Sequence, residues 1–104
     1  MANAHRGEIE AELSGRRYVL CLTLGALAEL EHAYGGEDLI AIAQRFEAGK
    51  IGAGDAIRVI GAGLRGGGNA VTDQDVAAMT VEGGAAGFLA IVVRLLRATF
   101  AGEP

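Results

Sequence analysis

The chain has 104 residues and a formal net charge of -4, with 17 glycines, one proline, one cysteine and no tryptophan; 51% of residues are hydrophobic but only 5% aromatic. An acidic balance without a Lys/Arg-rich run excludes a binder of nucleic-acid phosphates, and a lone Cys21 excludes an internal disulfide. The longest apolar stretch, Ala85 to Val93, is far short of the ~20 residues a membrane span requires, so no membrane partner is expected.

A chain of this length fits one domain, 1–104, with about two-thirds of its unfolded surface leaving water on folding. Its core must be made mostly of Ala, Leu, Ile and Val. Each glycine inside a helix costs roughly 1 kcal/mol relative to Ala, which predicts a marginal monomer stabilised by partners. Met1 to Gly7 lacks the apolar centre of a secretory signal, so a cytoplasmic location is expected.

From Gly7 to Leu13, Ile9, Ala11 and Leu13 alternate with Glu8, Glu10 and Glu12, the period of a strand with one wet face. Ser14-Gly15 supplies a turn, and Arg17 to Leu22 alternates again, with Tyr18, Leu20 and Leu22 on one face and Val19 and Cys21 on the other. The spacing predicts a β-hairpin over 6–22, with Arg16 and Arg17 near the Glu row and an open strand edge able to pair with another copy.

The rest, 23–100, reads as four to five short helices. Thr23 is the expected N-cap and Gly35 the C-terminal stop of the first, with Leu24, Leu27, Leu30 and Tyr34 on one side and Glu29 and His32 elsewhere. Leu39, Ile42, Ala43 and Phe46 mark a second helix ended by Gly49. Asp55 is the expected cap of a third carrying Ile57, Ile60, Gly61 and Leu64, stopped by Gly66-Gly67-Gly68-Asn69. Thr72 caps a short fourth helix to about Met79, with Asp73 and Asp75 in its first turn. Gly83-Gly84 precedes the last, Ala85 to Phe100. The fold class is α+β, a hairpin packed on a helical bundle.

No chemistry-bearing cluster stands out. Gly61-Ala62-Gly63-Leu64-Arg65-Gly66 matches G-x-G-x-x-G after an apolar run, but no helix follows directly and no second strand carries an acid, so close helix packing through Gly61 and Gly63 is expected and a dinucleotide is not. His5 and His32 have no metal-ligand spacing, so no metal and no cofactor is expected. Cys21 reads as a small half-buried apolar residue, Asp73 and Asp75 as capping acids and the Glu row as a solvated face.

In the last helix, Phe88, Ile91, Val92, Leu95 and Thr99 form one stripe and Leu89, Val93, Leu96 and Phe100 a second, leaving Ala90, Arg94, Arg97 and Ala98 for the wet side. Either this helix is central and buried by its own domain, or the second stripe binds another chain. The width of the apolar arc favours the latter, so Leu89, Val93, Leu96 and Phe100 are the candidate partner-binding residues.

Three segments, His5-Arg6-Gly7-Glu8, Leu22-Thr23-Leu24-Gly25-Ala26-Leu27-Ala28-Glu29-Leu30-Glu31 and Ile60-Gly61-Ala62-Gly63-Leu64-Arg65, together resemble a small family of the tail gene clusters of gene transfer agents and tailed phages, whose members look like tail assembly chaperones. The order of elements matches along nearly the whole chain. The resemblance brings no catalytic residues and implies a non-enzymatic protein that binds the tape measure protein, keeps it soluble and is displaced as tail tube protein polymerises. The alternative is a structural tail component, a connector or tube-associated subunit retained in the particle; an enzyme ranks behind both. Self-association into a homo-oligomer, as rings or spirals, is compatible with either.

Overall fold

The structure, a computed structural model, describes residues 2–3 and 6–100; His5 lies outside the described residues. Among the described residues seven elements follow in order: β1 (Glu8–Leu13), β2 (Arg16–Cys21), α1 (Leu24–Ala33), α2 (Leu39–Glu47), α3 (Ala53–Gly66), α4 (Asp73–Ala77) and α5 (Gly84–Phe100). The arrangement is α+β, a two-stranded antiparallel hairpin followed by five helices.

The hairpin turns at Ser14 and Gly15, both at positive φ (52° and 76°), as a two-residue connection between right-twisted strands demands. The register pairs Ile9 with Leu20, Ala11 with Tyr18 and Glu12 with Arg17. Ile9, Ala11, Leu13 and Leu20 are buried while the Glu row stays on the wetter face, where Arg17 Nη1 lies 3.2 Å from Glu10 Oε1. Arg16 departs from expectation: its guanidinium lies 5.4 Å from the Tyr18 ring centroid, on the other face from the Glu row.

Local chemistry sets the helix ends. Thr23 Oγ1 accepts the Ala26 amide at 3.1 Å, and Asp38 Oδ1 accepts that of Ile40 at 3.0 Å. Helices α1, α2 and α3 then end alike: glycines at positive φ (Gly35, Gly49, Gly68) let the next amide fold back, Gly36 to Glu31, Lys50 to Arg45 and Asn69 to Leu64. Asp55 is not the N-cap of α3. Gly52 holds that position, and Asp55, in the first turn, accepts the Gly52 amide on Oδ2 at 2.8 Å. Thr72 and Asp75 form the reciprocal capping pair of α4 at 3.0 and 2.9 Å.

The central element is α3. From Val59 to Leu64 every residue is buried, because β2, α1, α4 and α5 all pack on this helix. Its glycines make that possible. A Cβ on Gly63 would stand 2.6 Å from Leu95 Cδ2, and at Gly66 and Gly67 it would collide with the carbonyls of Cys21 and Val19. The C-terminal turn of α3 thus lies directly on the backbone of β2, and the Asn69 side chain completes the seam by donating to the Val19 carbonyl at 3.0 Å. The G-x-G-x-x-G stretch is helix interior, not a phosphate-binding turn.

Two apolar assignments move. Leu24 is 85% exposed, and α1 buries Ala26 and Leu30 instead. Ala98, expected on the wet side of α5, is buried; its carbonyl is 3.5 Å from where a Cβ of Gly7 would stand, so the start of the hairpin lies against this turn.

Candidate partner-binding surface

The second stripe of α5 does not form one surface. Leu96 is 5% exposed and, with Phe100, adjoins the seam that Leu27, Leu30, Leu39, Ile42 and Phe46 build between α1 and α2. Leu96 is therefore core, contrary to its expected place at an interface. Phe100 is 42% exposed at the end of the same seam, and Val93 is half-buried between the two regions.

Leu89 faces elsewhere. With Phe88 and Ala85 of α5, Ile57 and Ile60 of α3, and Val76 and Ala77 of α4, it lines an open groove of about 390 Å³. α4 is only five residues long, too short to cover both α3 and the first turns of α5. Every lining side chain is aliphatic or aromatic. The groove holds no acid, base or nucleophile, so what it can do is receive apolar side chains by desolvation. Val76 and Ala77 had no functional signal in the sequence, because only the docking of α4 on α3 brings them to Leu89; Ile51 reaches the groove from the loop before α3.

Ionisable groups serve the fold elsewhere. The Tyr34 hydroxyl donates to Asp55, whose neighbour Arg58 lies 3.4 Å from Asp55 Oδ1 and stacks 5.5 Å from the Tyr34 ring centroid. Burial, reinforced by the hydrogen bond to the Asp55 carboxylate, pushes Tyr34 up to about 12. Burial of Asp55 works to raise its carboxyl, but the Tyr34 hydroxyl, the Gly52 amide and the Arg58 and Arg45 guanidiniums outweigh it and hold the group below its ordinary value. A second cluster centres on Arg65, which pairs with Glu29 of α1 and with Asp73 of α4 (3.0 Å) and donates to the Val71 carbonyl at 3.0 Å. The Glu29 hydrogen bond, more than Asp73, raises the Arg65 pKa further. Both clusters tie one helix to another around α3.

Cys21 is buried, its Sγ donating to the Arg6 carbonyl at 3.5 Å, and burial pushes the thiol up, away from the thiolate a nucleophile needs. His32 is exposed on α1. Among the described residues no group of three His, Cys, Asp or Glu side chains is placed to hold a metal ion, and no helix is long and apolar enough to cross a membrane.

Comparison with known proteins adds the biological context. No curated protein and no solved structure matches the chain. A family model described as phage tail tube protein, GTA-gp10, matches residues 6–102, from the start of the hairpin to beyond the end of α5. The resemblance to gene transfer agent and phage tail proteins thus stands at the level of the tail, without singling out an assembly chaperone. With nearly its whole length covered, and with hairpin, glycine-bearing α3 and closing α5 all inside the match, the chain belongs to the phage tail tube protein, GTA-gp10, family.

Proposed function

We propose that this protein is a non-enzymatic structural component of a phage-like tail, part of or attached to the tail tube and retained in the particle. The observation that carries this reading is the family match over 6–102. The surface chemistry supports it: the groove has apolar walls only, and the charged clusters are spent on helix-to-helix ties. Leu89, with Phe88 and Ile57 beside it, is the part of the proposed partner-binding stripe open to a neighbour, and Phe100 is a second contact at the far end of α5. Quantitative mass spectrometry of purified particles is the test. A fixed stoichiometry against the other tail proteins is expected, and absence from finished particles overturns the structural reading.

The open groove favours one second reading, a chaperone that binds the tape measure protein during assembly in the cytoplasm and then leaves. Reversible association of that kind uses modest apolar contacts of the sort Leu89 and Phe88 provide. Coexpression of the two chains discriminates: a tape measure protein soluble only in the presence of this chain, with this chain missing from particles, moves the assignment to the chaperone.

A further inference from the structure

The outer edge of β1 is an interaction surface of a different kind, built from backbone. With a two-residue turn, Leu13 and Arg16 exchange ladder hydrogen bonds, as does every second pair beyond them. The intervening pairs, Glu8 with Cys21, Glu10 with Val19 and Glu12 with Arg17, point their amides and carbonyls away from the ladder. On β2 the last turn of α3 lies against the Val19 and Cys21 carbonyls, and Asn69 donates to that of Val19.

On β1 the cover is partial. The Glu8 amide donates to the Asn3 carbonyl at 3.0 Å, the Ser14 amide to the Thr80 carbonyl at 2.7 Å, and Arg94 Nη2 to the Glu10 carbonyl at 2.8 Å. Between these ties the amides of Glu10 and Glu12 face outward with no acceptor among the described residues. A strand edge left in that state is a template for another extended chain.

The geometry points to this edge as a docking site for an extended segment of another protein that carries Lys or Arg at alternate positions. Charge selects the occupant. Glu8, Glu10 and Glu12 stand in one row on the wetter face; Glu8 Oε1 accepts the Asn3 amide at 2.8 Å and Arg17 takes Glu10, while Glu12 is exposed beyond them. A strand laid beside β1 sets its alternate side chains along that row, where cations are favoured and anions opposed. A second copy pairing through the same edge would bring two Glu rows together, so a basic partner fits and a twofold dimer does not. The inference is independent of whether the chain stays in the tail or leaves it.

The test uses the full chain, isotope-labelled for NMR, and a short peptide alternating lysine with threonine. Binding is expected to slow amide exchange at Glu10 and Glu12 above that of the other hairpin amides. The same peptide N-methylated on the residues that face β1 keeps its charge and loses its strand pairing, so affinity should fall about tenfold or more. Glu12→Pro, which removes the charge together with an outward amide that no ladder bond uses, should weaken binding beyond Glu12→Gln, which removes the charge and keeps the amide. Equal affinity for the two peptides reduces the contact to electrostatic attraction and overturns the proposal, as does absence of binding or a dimer of the chain itself formed through this edge. If Glu12→Pro fails to fold, the N-methylated peptide decides alone.

Discussion

Replacing Gly67 by Ala isolates the seam between α3 and the hairpin. Gly67 sits at φ -80°, a conformation alanine adopts freely, so any effect comes from space and not from backbone strain. Its added Cβ would collide with the Val19 carbonyl oxygen and lie 2.8 Å from the Val19 carbonyl carbon and 3.3 Å from Leu20 Cα. Both walls are main chain, one a helix end and one a strand, and neither relaxes without losing the Asn69 hydrogen bond to Val19. Overpacking typically costs about 1–3 kcal/mol, and a backbone-walled site belongs at the upper end. About 3 kcal/mol in a chain of this size lowers Tm by roughly 12–24 °C. Gly63→Ala meets the tip of Leu95, a side chain that can rotate, and should cost about 1–2 kcal/mol. Gly54→Ala, whose nearest neighbour is the Arg58 guanidinium at 3.4 Å, should stabilise by about 0.4–1 kcal/mol. Urea unfolding followed by far-UV circular dichroism measures all three. If Gly67→Ala lies within about 0.5 kcal/mol of the parent, or costs less than Gly63→Ala, then the close approach of α3 to β2 is not a constraint on this fold.

Three further outcomes test other parts of the reasoning. Leu96→Asp buries a carboxylate in the α1–α2–α5 seam and should unfold the chain or cost more than about 3 kcal/mol, while Leu89→Asp, at a half-buried position in the groove wall, should cost clearly less, keep the circular dichroism of the folded chain and abolish partner capture; similar stability losses in both would make the groove core. The Tyr34 hydroxyl is raised from 10.0 to about 12 in the folded state, so its contribution is complete below pH 10.0 and is lost as pH rises toward about 12; discounted for solvent screening it is about 1 kcal/mol, and Tyr34→Phe should flatten that alkaline loss of stability in a pH series of urea midpoints. Thr72→Ala removes the acceptor for the Asp75 amide and should cost about 1 kcal/mol, seen first as faster hydrogen exchange in α4.

Short-range chemistry made most of the elements legible in advance. Alternation from Ile9 to Leu13 and the Ser14-Gly15 turn specify a hairpin through the pleat and positive φ, and Thr23, Thr72, Gly35 and Gly49 mark helix ends because caps act on amides or carbonyls within four residues. The same locality explains the misplacements. Leu24 obeys helical periodicity yet points to solvent, because the burying face of α1 is chosen by α3 through Ala26 and Leu30. Asp55 has the chemistry of a cap and serves three residues inside it, accepting the Gly52 amide.

Helical plotting found the double stripe of α5 but not what each stripe touches. Leu96 goes to the α1–α2 seam and Leu89 to the groove, because neighbours arriving from 43, 57 and 76 in the chain decide it. The glycine-rich stretch 61–67 carries the same lesson in reverse. Its pattern imitates a phosphate turn, and only the stacking of β2, α4 and α5 on one helix reveals glycine as the residue that lets backbones meet. Sequence alone determined the kind and order of the elements, since these follow from contacts a few residues apart. Tertiary structure decided that α3 is the centre, that its last turn covers the Val19 and Cys21 carbonyls of β2 while the β1 edge stays partly open, and that Leu89 but not Leu96 reaches the surface, since each depends on a long-range fit of side-chain volume and backbone approach.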